Sequence, residues 1–369
     1  MTLAAVAFAG DFRNLVYVGT YTDKGSKGVY AFRFDPSSGE LSDVSLAATT
    51  DNPSFLAVAA DNRYLYAVNE INKFNGGETG AVTTFGLDRT SGKLRQLQQV
   101  SSLGPGPAHL SIDRSGKYLL VANYDGGSIA VFPIQKDGTL GTRTAFVQHS
   151  GSSVNKDRQS GPHAHAIQAT PNNKFVLVAD LGLDELLVYR FHARTGALSP
   201  ANPPFLRVAP GSGPRHFAIA PNGKFVYLVN ELSSTVAVYS FDGSSGRMTE
   251  LQTISTLPQP FKGENTTAEI TTDAAGKFLY ASNRGDDSIA IFAIDLESGK
   301  LSPVDRVRTG GQEPRHFTLD PTGNWLFAAN QNSNDIRVFR VDPKSGRLTS
   351  TSKMVHVNSP VCLVLVPIK

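Results

Sequence analysis

The sequence predicts an all-β fold, a single seven-bladed β-propeller with four antiparallel strands in each blade. The first observation is a short apolar strand, ending in a small or polar residue, that recurs seven times. Its copies are VYVGTY, LYAVNE, LLVANY, VLVADL, VYLVNE, LYASNR and LFAANQ. The second observation is that the residues closing these strands lie 47 to 57 positions apart, a length that holds about four short strands. These anchor residues are Thr20, Asn69, Asn123, Asp180, Asn230, Asn283 and Asn330.

A further strand and a tight turn follow each anchor residue and account for the next part of every blade. These strands alternate in polarity with a period of two: VYAFRF, VTTFGL, IAVFPI, LLVYRF, VAVYSF, IAIFAI and IRVFRV. The turns after them read SSGEL, TSGKL, KDGTL, RTGAL, SSGRM, ESGKL and KSGRL, and their glycine supplies the positive φ that a tight hairpin needs. Two stacked β-sandwiches are the alternative architecture, but the near-uniform repeat favours the propeller.

The two ends of the chain predict how the ring closes. Residues 360–368, PVCLVLVPI, have the character of an inner strand that lacks a successor. Residues 13–21, RNLVYVGTY, have that of a second strand that lacks a predecessor. Paired in one blade, they close the ring and remove the exposed sheet edges. We therefore expect one propeller domain over residues 11–369 and an N-terminal extension over residues 1–10.

The composition is that of an ordinary globular protein, with 40% apolar and 18% charged residues. The formal net charge of +3 and the lack of Lys/Arg runs argue against nucleic-acid binding. No segment approaches the ~20 apolar residues of a membrane span. The single cysteine, Cys362, lies in an apolar run and is expected to be buried. We expect a cytoplasmic monomer or weak homodimer; export is the alternative, because Ala7-Phe8-Ala9 is similar to a signal cleavage site.

The polar residues at the ends of the repeated hairpin are expected to meet on one face of the disc. In an antiparallel pair, the start of the first strand and the end of the second lie at the same edge. The first strands start with Pro53-Ser54-Phe55, Pro107-Ala108-His109, His163-Ala164-His165, Pro214-Arg215-His216, Ala268-Glu269 and Pro314-Arg315-His316. The second strands end with Thr20-Tyr21, Asn69-Glu70, Asn123-Tyr124, Asp180-Leu181, Asn230-Glu231, Asn283-Arg284 and Asn330-Gln331. These side chains are predicted to surround the mouth of a central channel.

A structural role stays open for part of this set. The recurring Asn is expected to hydrogen-bond its own turn and to tolerate a left-handed backbone. His109 and His316 are either buried neighbours of the blade seams or part of a site. Arg215 and Arg284 need a counter-charge near a channel mouth, and Glu231 is the partner that the sequence offers.

These residues resemble those of the propeller-type lactonase family, which includes seven-bladed 6-phosphogluconolactonases and the fungal 3-carboxy-cis,cis-muconate cyclase. The resemblance covers essentially the whole chain. It is carried by YVGTYT near the start, by the GPRHF…PNGKF…YLVNE unit and by the NR end of the next blade. It implies a catalytic set of His165, Arg215, Glu231 and Arg284. His163 is the alternative histidine, because GPHAH has an extra residue relative to GPRH.

The implied set has the chemistry that lactone opening requires. A histidine can act as base and then as acid near neutral pH, with Glu231 holding its imidazole or activating water itself. Arginines offer bidentate donors to phosphate or carboxylate, so we expect a small anionic lactone as the substrate. The residues expected to bind it are His163, His216, Arg315, His316, His109, Glu70 and Tyr124.

No metal and no cofactor are expected. The anchor asparagines together with Glu231 are candidate calcium ligands, but Arg215 and Arg284 would repel a cation. His163 and His165 could share a zinc ion, yet the sequence offers no evident third ligand. Phosphate loops and dinucleotide-binding fingerprints are absent from the sequence.

Three functions stay open at this point. The resemblance favours hydrolysis of 6-phosphogluconolactone, a step of the pentose phosphate pathway. A muconate-type cycloisomerase or lactonase would use the same residues on a carboxylated substrate, and a non-catalytic binding propeller predicts an apolar mouth instead.

Insertions at 72–80, 149–162 and 257–268 are expected to face the mouth, the middle one as a candidate lid. Within them, Lys156, Arg158 and Lys262 are either phosphate contacts or solvated surface charges.

Overall fold

The computed structural model describes residues 12–368, which form 28 β-strands in seven four-stranded sheets. Neighbouring strands in every sheet are antiparallel. Between residues 12 and 368 no helix occurs, and hence none long and apolar enough to cross a membrane. The seven-bladed propeller predicted from the repeat is confirmed. The extension predicted over residues 1–10 lies outside the described residues.

Blade 1 is built from both ends of the chain, as the sequence predicts. From the centre outward it contains β28 (Pro360–Pro367), β1 (Asn14–Thr20), β2 (Gly28–Phe34) and β3 (Ser45–Thr49). The register between the two ends places Val16 opposite Leu365 and Val18 opposite Leu363. Pairing the last strand with the first therefore closes the ring through backbone hydrogen bonds.

The other six blades each use four consecutive strands. Blade 2 contains β4 (Leu56–Val58), β5 (Tyr64–Asn69), β6 (Ala81–Leu87) and β7 (Leu94–Ser101). Blade 3 contains β8 (Pro107–Ile112), β9 (Tyr118–Asn123), β10 (Ser128–Pro133) and β11 (Ala145–Gln148). Blade 4 contains β12 (Ala164–Ala169), β13 (Phe175–Asp180), β14 (Glu185–His192) and β15 (Ala197–Arg207). Blade 5 contains β16 (Pro214–Ile219), β17 (Phe225–Asn230), β18 (Thr235–Phe241) and β19 (Met248–Ser255). Blade 6 contains β20 (Thr266–Thr272), β21 (Phe278–Arg284), β22 (Ser288–Ile294) and β23 (Leu301–Arg308). Blade 7 contains β24 (Pro314–Leu319), β25 (Trp325–Asn330), β26 (Asp335–Val341) and β27 (Leu348–His356).

The innermost strands surround the central channel. Going round the ring, β4, β8, β12, β16, β20, β24 and β28 each contact the next, and β28 contacts β4. The apolar core is divided accordingly into seven clusters, one between each pair of adjacent blades. Between blades 7 and 1, for example, Trp325 meets Phe34 edge to face at 6.0 Å and donates through Nε1 to the carbonyl oxygen of Pro36. Such an aromatic pair contributes about 1 kcal/mol beyond its buried area.

The anchor asparagines close the turn that follows their strand, as predicted. Nδ2 of Asn123 donates to Ser128 Oγ at 3.0 Å, and Nδ2 of Asn230 donates to Thr235 Oγ1 at 3.0 Å. The expectation of a left-handed backbone at these asparagines is wrong. Positive φ occurs four residues later, at Asp184, Ser234, Asp287 and Asn334. The asparagines themselves are strand residues with buried side chains, so their role in blades 3 and 5 is structural.

Candidate active site

Two positions of the repeat supply most of the side chains at the channel mouth. One is the residue directly after each anchor. In blades 2, 3, 5 and 6 these residues are, in that order, Glu70, Tyr124, Glu231 and Arg284. The other is a bulge in the innermost strand. Because both positions lie at the same edge of each blade, the closed ring brings their side chains together.

The bulge leaves one residue of the innermost strand without a partner. In blade 5, Pro214 pairs with Asn230 and His216 pairs with Val229, so Arg215 is the extra residue. The corresponding extra residues are Ala108 in blade 3, His165 in blade 4 and Arg315 in blade 7. A bulge changes the direction of the side chains beside it and is common next to active sites. We call this the bulge position.

The mouth holds a cavity of about 320 Å³. We call it the mouth cavity, and it is lined by Glu70, Ala108, Tyr124, Arg158, His165, Glu231, Thr266, Arg284, Glu313 and Arg315. The predicted residues that line it are therefore His165, Glu231, Arg284, Arg315, Glu70 and Tyr124. Arg215 is 2% exposed and does not line the cavity, but its guanidinium pairs with Glu231, which does.

Glu231 is the counter-charge for three arginines. Its Oε2 lies 3.0 Å from Arg215 Nε and 3.1 Å from Arg284 Nη2, while its Oε1 accepts a hydrogen bond of 2.6 Å from Arg158 Nη2. Burial raises the pKa of Glu231, but the positive charges of Arg284, Arg215 and Arg158 outweigh burial and lower this pKa to about 2. The predicted pairing of Glu231 with Arg215 and Arg284 is confirmed.

Two expectations about Glu231 need correction. Glu231 was expected as a candidate activator of water, a role for which a carboxylate needs a raised pKa, but the surrounding arginines lower its pKa instead. Nor does Glu231 hold the imidazole of His165, since no hydrogen bond joins these two side chains within the described part of the chain. Glu231 fixes the arginines instead.

Arg215 and Arg284 are both held by backbone carbonyls of blade 6 as well as by Glu231. Arg215 Nη1 donates to the carbonyl oxygen of Ala268 at 2.6 Å, and Arg284 Nη2 donates to that of Thr267 at 3.0 Å. Burial and the nearby charges of Arg284 and Arg315 lower the pKa of Arg215 to about 9. The guanidinium therefore keeps its charge at neutral pH, and its position is fixed before any ligand arrives.

His165 places a buried imidazole in the wall of the mouth cavity. Its side chain is 4% exposed, and burial, followed by the charges of Arg215, His216 and Arg315, lowers its pKa well below the usual value. Nδ1 has no hydrogen-bond partner among residues 12–368. Tyr124 packs against the ring edge to face at 5.2 Å. An imidazole in this state can accept a proton at neutral pH.

A second chain of polar contacts crosses the mouth at blade 1. Arg315 Nη2 donates to the hydroxyl of Tyr21 at 2.8 Å, and this hydroxyl lies 2.9 Å from both carboxylate oxygens of Glu70. The guanidinium of Arg315 also lies over the Tyr21 ring, 5.2 Å from its centre. The sequence places Tyr21 in the set expected around the mouth, but not among the expected catalytic or substrate-binding residues, although it directly follows the anchor Thr20 just as Glu70 follows Asn69.

Three predicted substrate-binding histidines lie deeper in the channel and do not line the mouth cavity. His109, His216 and His316 follow the bulge position, one step further into the channel. There, His216 Nδ1 lies 3.1 Å and His316 Nε2 3.4 Å from Oε2 of Glu269. Glu269 belongs to the set expected around the mouth but not to the expected catalytic or substrate-binding residues, although it occupies the repeat position that holds a histidine in these three blades. Burial lowers the pKa of His316 to about 4.

His163 is also placed outside the lining of the mouth cavity. Its ring stacks on Tyr124 at 4.5 Å, and its Nδ1 lies 2.9 Å from the carbonyl oxygen of Tyr124. The extra residue in GPHAH left His163 and His165 as alternatives, and the structure distinguishes them: His165, and not His163, takes the bulge position. Of the two histidines, the structure brings only His165 to the mouth cavity.

The loop over residues 149–162 supplies one wall of the mouth cavity through Arg158. Besides Glu231, Arg158 Nη2 contacts the hydroxyl of Tyr124 at 3.3 Å. Lys156 and Lys262, the other candidate phosphate contacts, are exposed and do not line this cavity. Within residues 12–368, no group of three or more His, Cys, Asp or Glu side chains is arranged to hold a metal ion.

Comparison with known proteins bears on this site. A family model described as "Lactonase, 7-bladed beta-propeller" matches residues 15–365. The 6-phosphogluconolactonase of Bacillus subtilis (strain 168) is 38% identical over 301 residues, which are 82% of this chain and 83% of the relative. The 6-phosphogluconolactonase of Formosa agariphila is 35% identical over 309 residues, 82% and 85% of the two chains. The solved structure of a periplasmic gluconolactonase of Pseudomonas aeruginosa has a TM-score of 0.91 and 38% identity, and the match covers 96% of this chain and 99% of that one.

Proposed function

This chain belongs to the seven-bladed β-propeller lactonase family, and we propose that it hydrolyses 6-phospho-D-glucono-1,5-lactone to 6-phosphogluconate. The two relatives named 6-phosphogluconolactonase support this choice of substrate. The observation that carries the proposal is the composition of the mouth cavity, where a neutral histidine lies beside arginines fixed on one carboxylate.

His165 serves as the base and then as the acid. Its neutral imidazole takes a proton from a water molecule while the water oxygen attacks the carbonyl carbon of the lactone. When the resulting tetrahedral intermediate collapses, the bond to the ring oxygen breaks. The imidazolium returns its proton to that oxygen, which leaves as a hydroxyl group. The new carboxylic acid ionises, so each turnover releases one proton.

The arginines stabilise negative charge. Arg284 and Arg315 line the mouth cavity, and Arg215 lies directly behind Glu231. Guanidinium donors held in advance of the reaction stabilise the oxyanion of the intermediate without reorganising. Glu231 keeps these groups in place, because three arginines gathered without a carboxylate would repel one another.

The charge of the site fits a small anionic lactone. The arginines are Arg158, Arg215, Arg284 and Arg315, and the carboxylates are Glu70, Glu231 and Glu313. With four positive and three negative groups, the site carries one net positive charge. Carboxylated lactones would also find donors here, so the choice between phosphate and carboxylate needs a direct assay.

A pH-stat assay of the purified protein tests the proposal. The panel contains 6-phosphoglucono-1,5-lactone, the unphosphorylated δ-lactone, a γ-lactone and a carboxylated muconolactone, each with and without EDTA, and the enzyme-free rate is subtracted. We expect the highest kcat/KM for the phosphorylated δ-lactone and no effect of EDTA. Preference for the muconolactone, or rates no higher than those without enzyme on every lactone, would refute the proposed substrate.

A further inference from the structure

Arg158 differs from the rest of the mouth cavity because it comes from an insertion. The other residues of the wall lie on the innermost strands, at the ends of the second strands, or directly before an innermost strand. Arg158 lies in the connection between blades 3 and 4, yet its guanidinium reaches Glu231 of blade 5. A side chain from an insertion can therefore control the carboxylate on which the site depends.

The two oxygens of Glu231 have different partners. Oε2 is shared by Arg215 and Arg284, which lie at 3.0 and 3.1 Å. Oε1 receives the hydrogen bond from Arg158 at 2.6 Å. If Arg158 left, Oε1 would become a free acceptor inside the mouth cavity while Oε2 still held the two buried arginines.

The loop holds the backbone near Arg158 in place but leaves the side chain accessible. Gln159, the next residue, is buried and donates through Nε2 to the carbonyl oxygen of Leu181 at 2.8 Å. Its backbone N–H donates to Asn155, and its carbonyl accepts from Ser153. The Arg158 side chain, in contrast, is 39% exposed, so the guanidinium can change partners without displacing the loop.

We propose that Arg158 is a phosphate-binding residue that releases Glu231 when the substrate arrives. The phosphate group of the lactone takes the guanidinium from Oε1, since a dianionic phosphate offers it a stronger bidentate partner than one carboxylate oxygen. The freed Oε1 then accepts a hydrogen bond from the attacking water, whose other proton goes to His165. The phosphate, although remote from the bond that breaks, thereby raises kcat as well as affinity.

The test separates the phosphate from the reacting ring. The unphosphorylated δ-lactone is assayed with increasing inorganic phosphate at constant ionic strength, with the enzyme-free rate in each buffer subtracted. We expect saturable activation of the wild-type protein by at least threefold. In Arg158→Ala we expect no activation, and a fall of at least tenfold in the ratio of kcat for the phosphorylated lactone to kcat for the unphosphorylated one. Lys156→Ala, an exposed change in the same loop, should behave like the wild type.

This inference rests on the proposed function, and the experiment distinguishes their failures. If the wild-type protein hydrolyses neither lactone, the proposed function is wrong and the role of Arg158 falls with it. If it prefers the phosphorylated lactone, but inorganic phosphate does not activate it and Arg158→Ala keeps the wild-type ratio, only the role of Arg158 is refuted. A melting temperature of Arg158→Ala within a few degrees of the wild type shows that the variant is folded.

Discussion

His165 of blade 4 and Arg215 of blade 5 occupy the same position in their blades, the unpaired residue at the bulge of the innermost strand. The repeat thus places a base and a cation at adjacent points of the channel mouth. Their proximity has an electrostatic consequence: after burial, which is the largest cause, the positive charge of Arg215 contributes most to the lowered pKa of His165. Arg215 therefore helps to keep the imidazole in the form that accepts a proton.

Replacing His165 by alanine should remove the base while leaving the propeller intact. We expect kcat to fall at least tenfold, since general acid–base catalysis contributes about 10²–10⁴-fold. The melting temperature should change little, because the site lies at the channel mouth and not in a core cluster between blades. Steady-state pH-stat rates measure the fall in kcat, and calorimetry measures the melting temperature. His192→Ala, an exposed histidine of blade 4, is the matched control, and unchanged turnover of His165→Ala would exclude His165 as the base.

The pH profile should reflect the state of His165. A base whose pKa lies below 6.5 stays neutral as the pH falls through that value, so kcat/KM should hold between pH 8 and 6.5 and decline only in more acidic solution. An acidic limb centred at pH 6.5 or above would show that the imidazole is not held neutral by its surroundings.

Local sequence signals were sufficient to predict the blades and the pairing of Glu231. The blades could be predicted because strand alternation and the glycine of each turn are local features of the sequence. The closing of the ring could be predicted because the two unmatched ends, residues 13–21 and 360–368, complement each other as one pair of strands. Glu231 was expected to face Arg215 because one follows the end of the second strand and the other lies at the start of the first strand, and both therefore lie at the same edge of one hairpin. The structure confirms their contact.

The depth of each side chain could not be predicted, because the bulge is invisible to a period-two pattern. It splits consecutive residues between two layers, so that Arg315 lines the mouth cavity while His316 lies below it with Glu269. Arg158 was equally difficult to assign, since it belongs to no repeat. Its contact with Glu231 depends on the tertiary path of the loop over residues 149–162.

Tyr21→Phe should weaken the second chain of contacts at the mouth. The hydroxyl accepts from Arg315 and donates to Glu70, so its loss leaves Arg315 without this acceptor. We expect kcat/KM to fall about tenfold, as for loss of a hydrogen bond to a charged group worth about 1.5 kcal/mol. Initial rates at several lactone concentrations measure the effect. Tyr30→Phe removes a hydroxyl that bonds only the exposed backbone of Lys27 and should leave kcat/KM unchanged; equal losses in the two variants would contradict a role for Tyr21 at the site.

Arg215→Ala should reduce both activity and stability. The side chain is 2% exposed, contacts Glu231 and donates to Ala268, so its removal leaves a cavity and takes one cation from a buried carboxylate. We expect turnover to fall at least tenfold and the free energy of unfolding to fall by about 3 kcal/mol. Urea denaturation and initial rates measure the two effects, with the exposed Arg194→Ala as control. A fully active Arg215→Ala would remove this arginine from the site.

Glu231→Gln should make stability depend less on pH. The pKa of Glu231 is lowered in the folded protein from its ordinary value of 4.5 to about 2, so the ionised carboxylate stabilises the fold above pH 4.5, and this contribution is lost as the pH falls toward 2. A shift of this size corresponds to about 3 kcal/mol. We therefore expect wild type and Glu231→Gln to differ most in unfolding free energy at pH 7, where the variant leaves three arginines facing a neutral amide. The difference should narrow through pH 4 and 3 and approach zero only near pH 2. Urea titrations at pH 7, 5, 4 and 3 measure the difference, and a gap that stays constant over this range would show that Glu231 is not held ionised by Arg284, Arg215 and Arg158.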